Sequence, residues 1–86
     1  MEKEFKTYLT DQNLSKNTIT SYLYALRQFE EKYDKLSKQN LRDYKIYLIE
    51  HYKPQTVNLR IRAMNCYLES IKKEQWKLPS VQGQQK

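Results

Sequence analysis

Lys16 and Arg27 stand in one stretch of the chain, Gln12 to Phe29, and Lys53, Arg60 and Arg62 stand in another, His51 to Leu68. Neither stretch contains a carboxylate, although the whole chain has ten. Cations kept clear of acids in this way suit a polyanion, because one misplaced carboxylate repels phosphate across the whole contact. The neighbouring polar groups are of a matching kind. They are Asn17, Thr20, Ser21, Tyr24 and Gln28 in the first stretch, and Gln55, Thr56 and Asn58 in the second. Amides, hydroxyls and a phenol can reach base edges and phosphate oxygens, whereas an ordinary solvated helix face carries Glu and Lys at four-residue spacing. The chemistry indicated is contact with double-stranded DNA.

Other chemistries lack their residues. The chain has one cysteine, Cys66, and one histidine, His51, so an internal disulfide and a zinc site built on several such ligands are excluded, and His51, at the end of an expected helix, reads as a partner of the helix dipole rather than as a catalytic base. No glycine-rich phosphate loop can be built around a single glycine. Glu30 and Glu31 are adjacent on an expected helix and point in different directions, which does not suit two carboxylates flanking one bond. No cofactor is expected, and this stretch of chain is not expected to be an enzyme by itself.

The elements that must position these groups follow from the apolar spacing. Phe5, Tyr8 and Leu9 predict a first helix over 2–11, with acids near its start that suit the helix dipole. Ser15 is a good cap for a second helix to about Tyr33, striped by Ile19, Tyr22, Leu23, Leu26, Phe29 and Tyr33. Ser37 caps a third to about His51, with Leu41, Tyr44, Leu48 and Tyr52 on its buried side. Pro54 reads as the first residue of a fourth, because proline tolerates the first turn and disfavours a helical conformation before it. Val57, Ile61, Met64, Leu68 and Ile71 carry that helix to about Lys73. From Glu74 onward the periodicity stops, and residues 74–86 read as a flexible C-terminal linker after a domain of residues 1–73. No segment alternates with the period of a strand, so the fold class is all-α, a compact four-helix bundle.

Composition agrees with one small folded domain. Its 86 residues include eight tyrosines and only three glycines and prolines together, too aromatic for a disordered chain. The net charge of +6 fits a nucleic-acid partner without proving one. No apolar run approaches the roughly 20 residues of a membrane span, and the opening M-E-K-E-F-K has no apolar signal core. A cytoplasmic protein with no membrane partner is expected.

Each feature has a plainer reading as well. Thr18 and Thr56 can simply satisfy first-turn amides, Arg60 and Arg62 can be solvated charges, and Tyr24 can pack against a neighbour. A helical protein-interaction module is the alternative function, with Tyr24, Leu59 and Trp76 as anchors. A helix-turn-helix repressor fits less well, because the Tyr52–Pro54 connection has no glycine turn.

The stretch L-S-K-N-T-I-T-S-Y-L-Y-A-L-R-Q-F, Leu14 to Phe29, resembles the capped S-x-N-T-I-x-x-Y-x-x-x-L-x-x-F of the SAM-like, core-binding N-terminal domain of tyrosine recombinases, or phage integrases. T-V-N-L-R-I-R-A-M-N-C-Y, Thr56 to Tyr67, is similar to that family's T-I-N-x-x-L-x-x-L-x-x-F. With S-K-Q-N-L-R-D-Y-K-I-Y-L between them, the likeness covers residues 2 to 72 in the family's order. Lys16 departs from the pattern, standing where a proline is common. The resemblance implies a SAM-like bundle forming half of a clamp on a recombination core site, with the second and fourth helices toward the major groove. The positions implied are Lys16, Asn17, Thr20, Ser21, Tyr24 and Arg27 on the second helix, and Gln55, Thr56, Asn58, Arg60 and Arg62 on the fourth. It also implies a downstream catalytic domain of the same chain and protomer contacts in a recombination complex. None of the eight tyrosines here matches the family's nucleophile.

Overall fold

The computed structural model describes residues 2–81 and is built from four helices. They are α1 (Glu2–Asp11), α2 (Lys16–Lys32), α3 (Lys38–His51) and α4 (Pro54–Ser70), followed by a single 3₁₀ turn, Glu74–Trp76. Among the described residues there is no strand, and no helix is long and apolar enough to cross a membrane.

The caps explain the starts. The Ser15 side chain accepts from the Thr18 amide at 3.2 Å, and the Ser37 side chain accepts from the Asn40 amide at 3.1 Å. Each satisfies one of the free amides that open a helix. Asn40 also donates through Nδ2 to the Lys35 carbonyl at 2.9 Å, which tightens the α2–α3 turn. α4 opens on Pro54 with no side-chain cap, and proline at that position has no amide to satisfy.

The ends are less conventional. Asn13 takes φ 62° after α1, a left-handed conformation that asparagine tolerates well. Lys72 takes the same φ of 62° after α4. There the Lys73 amide donates to the Leu68 carbonyl at 2.8 Å and the Lys72 amide to the Glu69 carbonyl at 3.2 Å, a Schellman closure with lysine in the usual glycine position. The fourth helix therefore stops at Ser70 rather than near Lys73, and Ile71, expected in its apolar stripe, is exposed.

One core joins all four helices. Phe5 and Leu9 of α1, Leu26 and Phe29 of α2, Leu41, Tyr44 and Leu48 of α3, and Val57, Ile61, Met64 and Leu68 of α4 are almost wholly buried. Phe5 meets Tyr67 edge-on at 5.2 Å, and Phe29 meets Tyr44 edge-on at 5.5 Å, the arrangement that aromatic quadrupoles favour. α2 and α4 form the most extensive helix pair, and each buries an alanine, Ala25 and Ala63. A side chain that small lets two backbones approach closely.

The expected linker begins as part of the domain. Leu78 is buried in the same core, and Trp76 and Val81 pack against it, so residues 74–81 lie on the bundle. Burying a leucine is worth roughly 1.5–3 kcal/mol, enough to hold a short segment in place. Residues 82–86, the rest of that expected linker, lie outside the described residues.

Candidate nucleic-acid interface

On α2, the exposed residues Lys16, Asn17, Thr20 and Tyr24 share one side, with Ser21 half-buried at its edge. Spacings of three, four and seven residues place them there, and the buried Tyr22, Ala25, Leu26 and Phe29 occupy the other side. Arg27, expected on this face, pairs with Glu2 of α1. The acid-free window is thus acid-free in sequence only, since α1 returns a carboxylate to its edge. That pairing raises the Arg27 pKa further, chiefly through the Glu2 hydrogen bond.

Where α2 meets α4 and the end of α3, a polar hub forms around Gln28. Its Oε1 accepts from the Arg60 guanidinium at 2.6 Å and from the Tyr44 hydroxyl at 2.8 Å. Its Nε2 donates to the Tyr52 hydroxyl at 3.1 Å. The Arg60 guanidinium lies between two rings, 4.6 Å from the centre of Tyr24 and 4.8 Å from that of Tyr52. Planar guanidinium suits this stacking, and the sandwich holds the charge at the surface between α2 and the α3–α4 corner.

The two phenols of the hub are shifted in opposite directions. Burial pushes Tyr44 up to about 12, against the pull of the nearby Arg60 charge. Tyr52 is held below the ordinary phenol value, first by the Gln28 hydrogen bond and then by that of Arg60. The apolar spacing puts Gln28 on the outward face and Tyr52 on the buried side of α3. The structure makes Gln28 a half-buried junction and Tyr52 a half-exposed cap residue.

The remaining α4 positions divide. Gln55 is exposed and Thr56 half-buried in the first turn, on the same helix end as Arg60. Arg62 is exposed but lies about 200° further round the helix than Arg60, because each residue advances about 100°. It lines a shallow cleft with Tyr8, Gln12, Leu14, Tyr22, Asn65, Cys66 and Glu69. Asn58 is engaged by the chain itself. Its Nδ2 donates to the Val81 carbonyl at 3.1 Å, and its Oδ1 accepts from the Val81 amide at 2.8 Å.

Tyr24 and Arg60 are therefore brought together, with Thr56 and Gln55 along the same helix end. Arg27 and Asn58 are engaged elsewhere, by Glu2 and Val81, and Arg62 faces the cleft on another side of α4. Elsewhere, a cleft of 420 Å³ is lined by Leu26, Phe29, Tyr33, Leu36 and Tyr67 and rimmed by Glu30, Asp34 and Lys35. Its two carboxylates make it unsuited to phosphate.

Comparison with curated proteins and with solved structures found no match. A family model described as the phage integrase N-terminal SAM-like domain matches residues 2–78, nearly the whole described chain and including the packed Leu78. On that match, and with four helices joined in the order the motifs require, the chain belongs to the family of phage integrase N-terminal SAM-like domains.

Proposed function

We propose that this domain binds double-stranded DNA as half of a clamp on the core site of a site-specific recombinase, with the catalytic domain supplied by the same full-length chain. What supports this most is the Tyr24–Arg60–Tyr52 sandwich, which ties the polar face of α2 to the first half of α4 and keeps a guanidinium at their junction. Lys16, Asn17, Thr20, Ser21 and Tyr24 on α2, with Gln55, Thr56 and Arg60 on α4, are the residues assigned to the contact. Arg27 and Arg62 are assigned to its edges, where their charge still acts on phosphate within a Debye length of about 8–10 Å. Asn58 belongs to this surface only if Val81 releases it. In this proposal the domain performs no strand cleavage; it places the duplex, and contacts between protomers align neighbouring copies.

A chemical-shift titration with duplex DNA tests the reading. Shifts are expected at Asn17, Thr20, Tyr24, Gln55 and Arg60, reversed by added salt, with non-specific affinity on the order of 10⁻⁴ to 10⁻⁶ M. No shift at low salt sinks it. A protein-binding role is the second reading, favoured by Ile46 and Ile49 of α3, which are 54% and 50% exposed one helical turn apart. Concentration-dependent shifts confined to those two residues would favour that reading instead.

A further inference from the structure

Two asparagines on α4, Asn58 and Asn65, each form a two-point pair with the backbone of one residue in the returning chain. Asn65 donates through Nδ2 to the Leu78 carbonyl at 2.9 Å and accepts the Leu78 amide through Oδ1 at 2.8 Å. Asn58 does the same for Val81, at 3.1 and 2.8 Å. The spacings match. Seven residues of helix rise about 10.5 Å, and three residues of extended chain span about 10 Å, so one segment can satisfy both amides without bending. Pro79 falls between the two contacts, where no backbone donor is used. Leu78 enters the core beside Asn65, and Val81 reaches Ile49, Tyr52, Pro54 and Val57 at the other end of the helix. The segment thus runs antiparallel to α4 and returns the chain to the end where that helix began.

We infer that Asn58 and Asn65 are chain-positioning residues, a clasp that fixes the point from which the chain leaves the domain. Without it, residues after Ser70 would start from the far end of α4. With it, they start from the α3–α4 corner, beside Tyr52 and the first turn of α4. Resting on the DNA-binding reading for this one step, that exit lies next to the proposed duplex contact, so whatever follows Val81 is handed on at the DNA. The same arrangement takes Asn58 out of base recognition. A ligand claiming its amide would have to give up both Val81 hydrogen bonds and loosen the packing of Val81.

The test uses the 86-residue chain carrying Ser80→Cys and Cys66→Ser, with a nitroxide at position 80. Paramagnetic broadening is expected to be confined to amides near the α3–α4 corner, including Gln55 and Val57, and to remain so at saturating duplex DNA. Asn58→Ala combined with Asn65→Ala should spread the broadening and reduce amide-exchange protection at Leu78 and Val81 by roughly tenfold or more. Asn65→Asp should also lose protection at Leu78, because an ionised carboxylate accepts the amide but cannot donate to the carbonyl. Diffuse broadening in the parent chain overturns the clasp. So does confined broadening that disperses when DNA binds, which would make the segment a displaceable cover. Absence of DNA-induced shifts on α2 and α4 counts against the DNA reading alone, leaving the free-state pattern to judge the clasp.

Discussion

Arg60 and Arg62 are two residues apart on one helix and live in different surroundings. Arg60 is held between the rings of Tyr24 and Tyr52 and bonded to Gln28, whereas Arg62 is exposed at the rim of a cleft that also contains Glu69. The contrast teaches that charge within an acid-free window says little until the helix is closed on its neighbours. One arginine serves the architecture as well as any ligand; the other is free to serve a ligand alone.

Breaking the hub should have the largest effect. Gln28→Ala leaves the Tyr44 hydroxyl with only a long contact to the Ala25 carbonyl at 3.3 Å and removes the acceptor of Arg60. A loss of about 2–3 kcal/mol in urea unfolding is expected, since a buried donor is left nearly unpaired. A loss below about 0.5 kcal/mol would mean that the hub is incidental. Leu78→Ala should cost about 2 kcal/mol, at the low end for buried leucines because Leu78 lies at the edge of the core. An unchanged midpoint would detach residues 74–81 from the folded unit.

The pH dependence sharpens the same contrast. Tyr44 has its pKa raised to about 12 in the folded protein, against 10 when unperturbed. Its contribution is therefore fully present below pH 10 and is lost as pH rises through about 12. The amount is on the order of 2 kcal/mol. Alkaline unfolding monitored by circular dichroism should begin above pH 10, and Tyr44→Phe should flatten that limb. Equal alkaline sensitivity in the two proteins would place the cause elsewhere.

Arg60→Ala should cost about 1 kcal/mol through lost stacking, in addition to weakening any DNA contact. Arg62→Ala should leave stability within about 0.5 kcal/mol and reduce the salt slope of DNA binding by about one unit, if it touches a phosphate. Arginine variants that behave identically in both measurements would erase the distinction.

Much of the architecture is legible in the residues. Ser15, Ser37 and Pro54 mark helix starts by local chemistry, which the sequence carries in full, and the three-and-four spacing of Leu26, Phe29, Leu41, Tyr44 and Leu48 names the core. The stop of α4 is not legible, because Lys72 adopts a glycine-like conformation that nothing nearby in sequence demands. Its reason is tertiary: the chain must reverse for Leu78 to reach the core. The candidate site is legible as two faces but not as partners. Glu2 lies 25 residues from Arg27, and Val81 lies 23 from Asn58, so no local pattern announces either contact. In the sequence Gln28 is one more outward amide, and only the meeting of three helices makes it a junction.

The asparagine pairs also decide where this fold can be cut. A fragment ending with the last turn of α4 would keep every helix yet open a leucine-sized hole and strand two side-chain amides. The smallest piece that should refold cleanly after trimming therefore extends through Val81, eleven residues beyond the helix that seems to finish it.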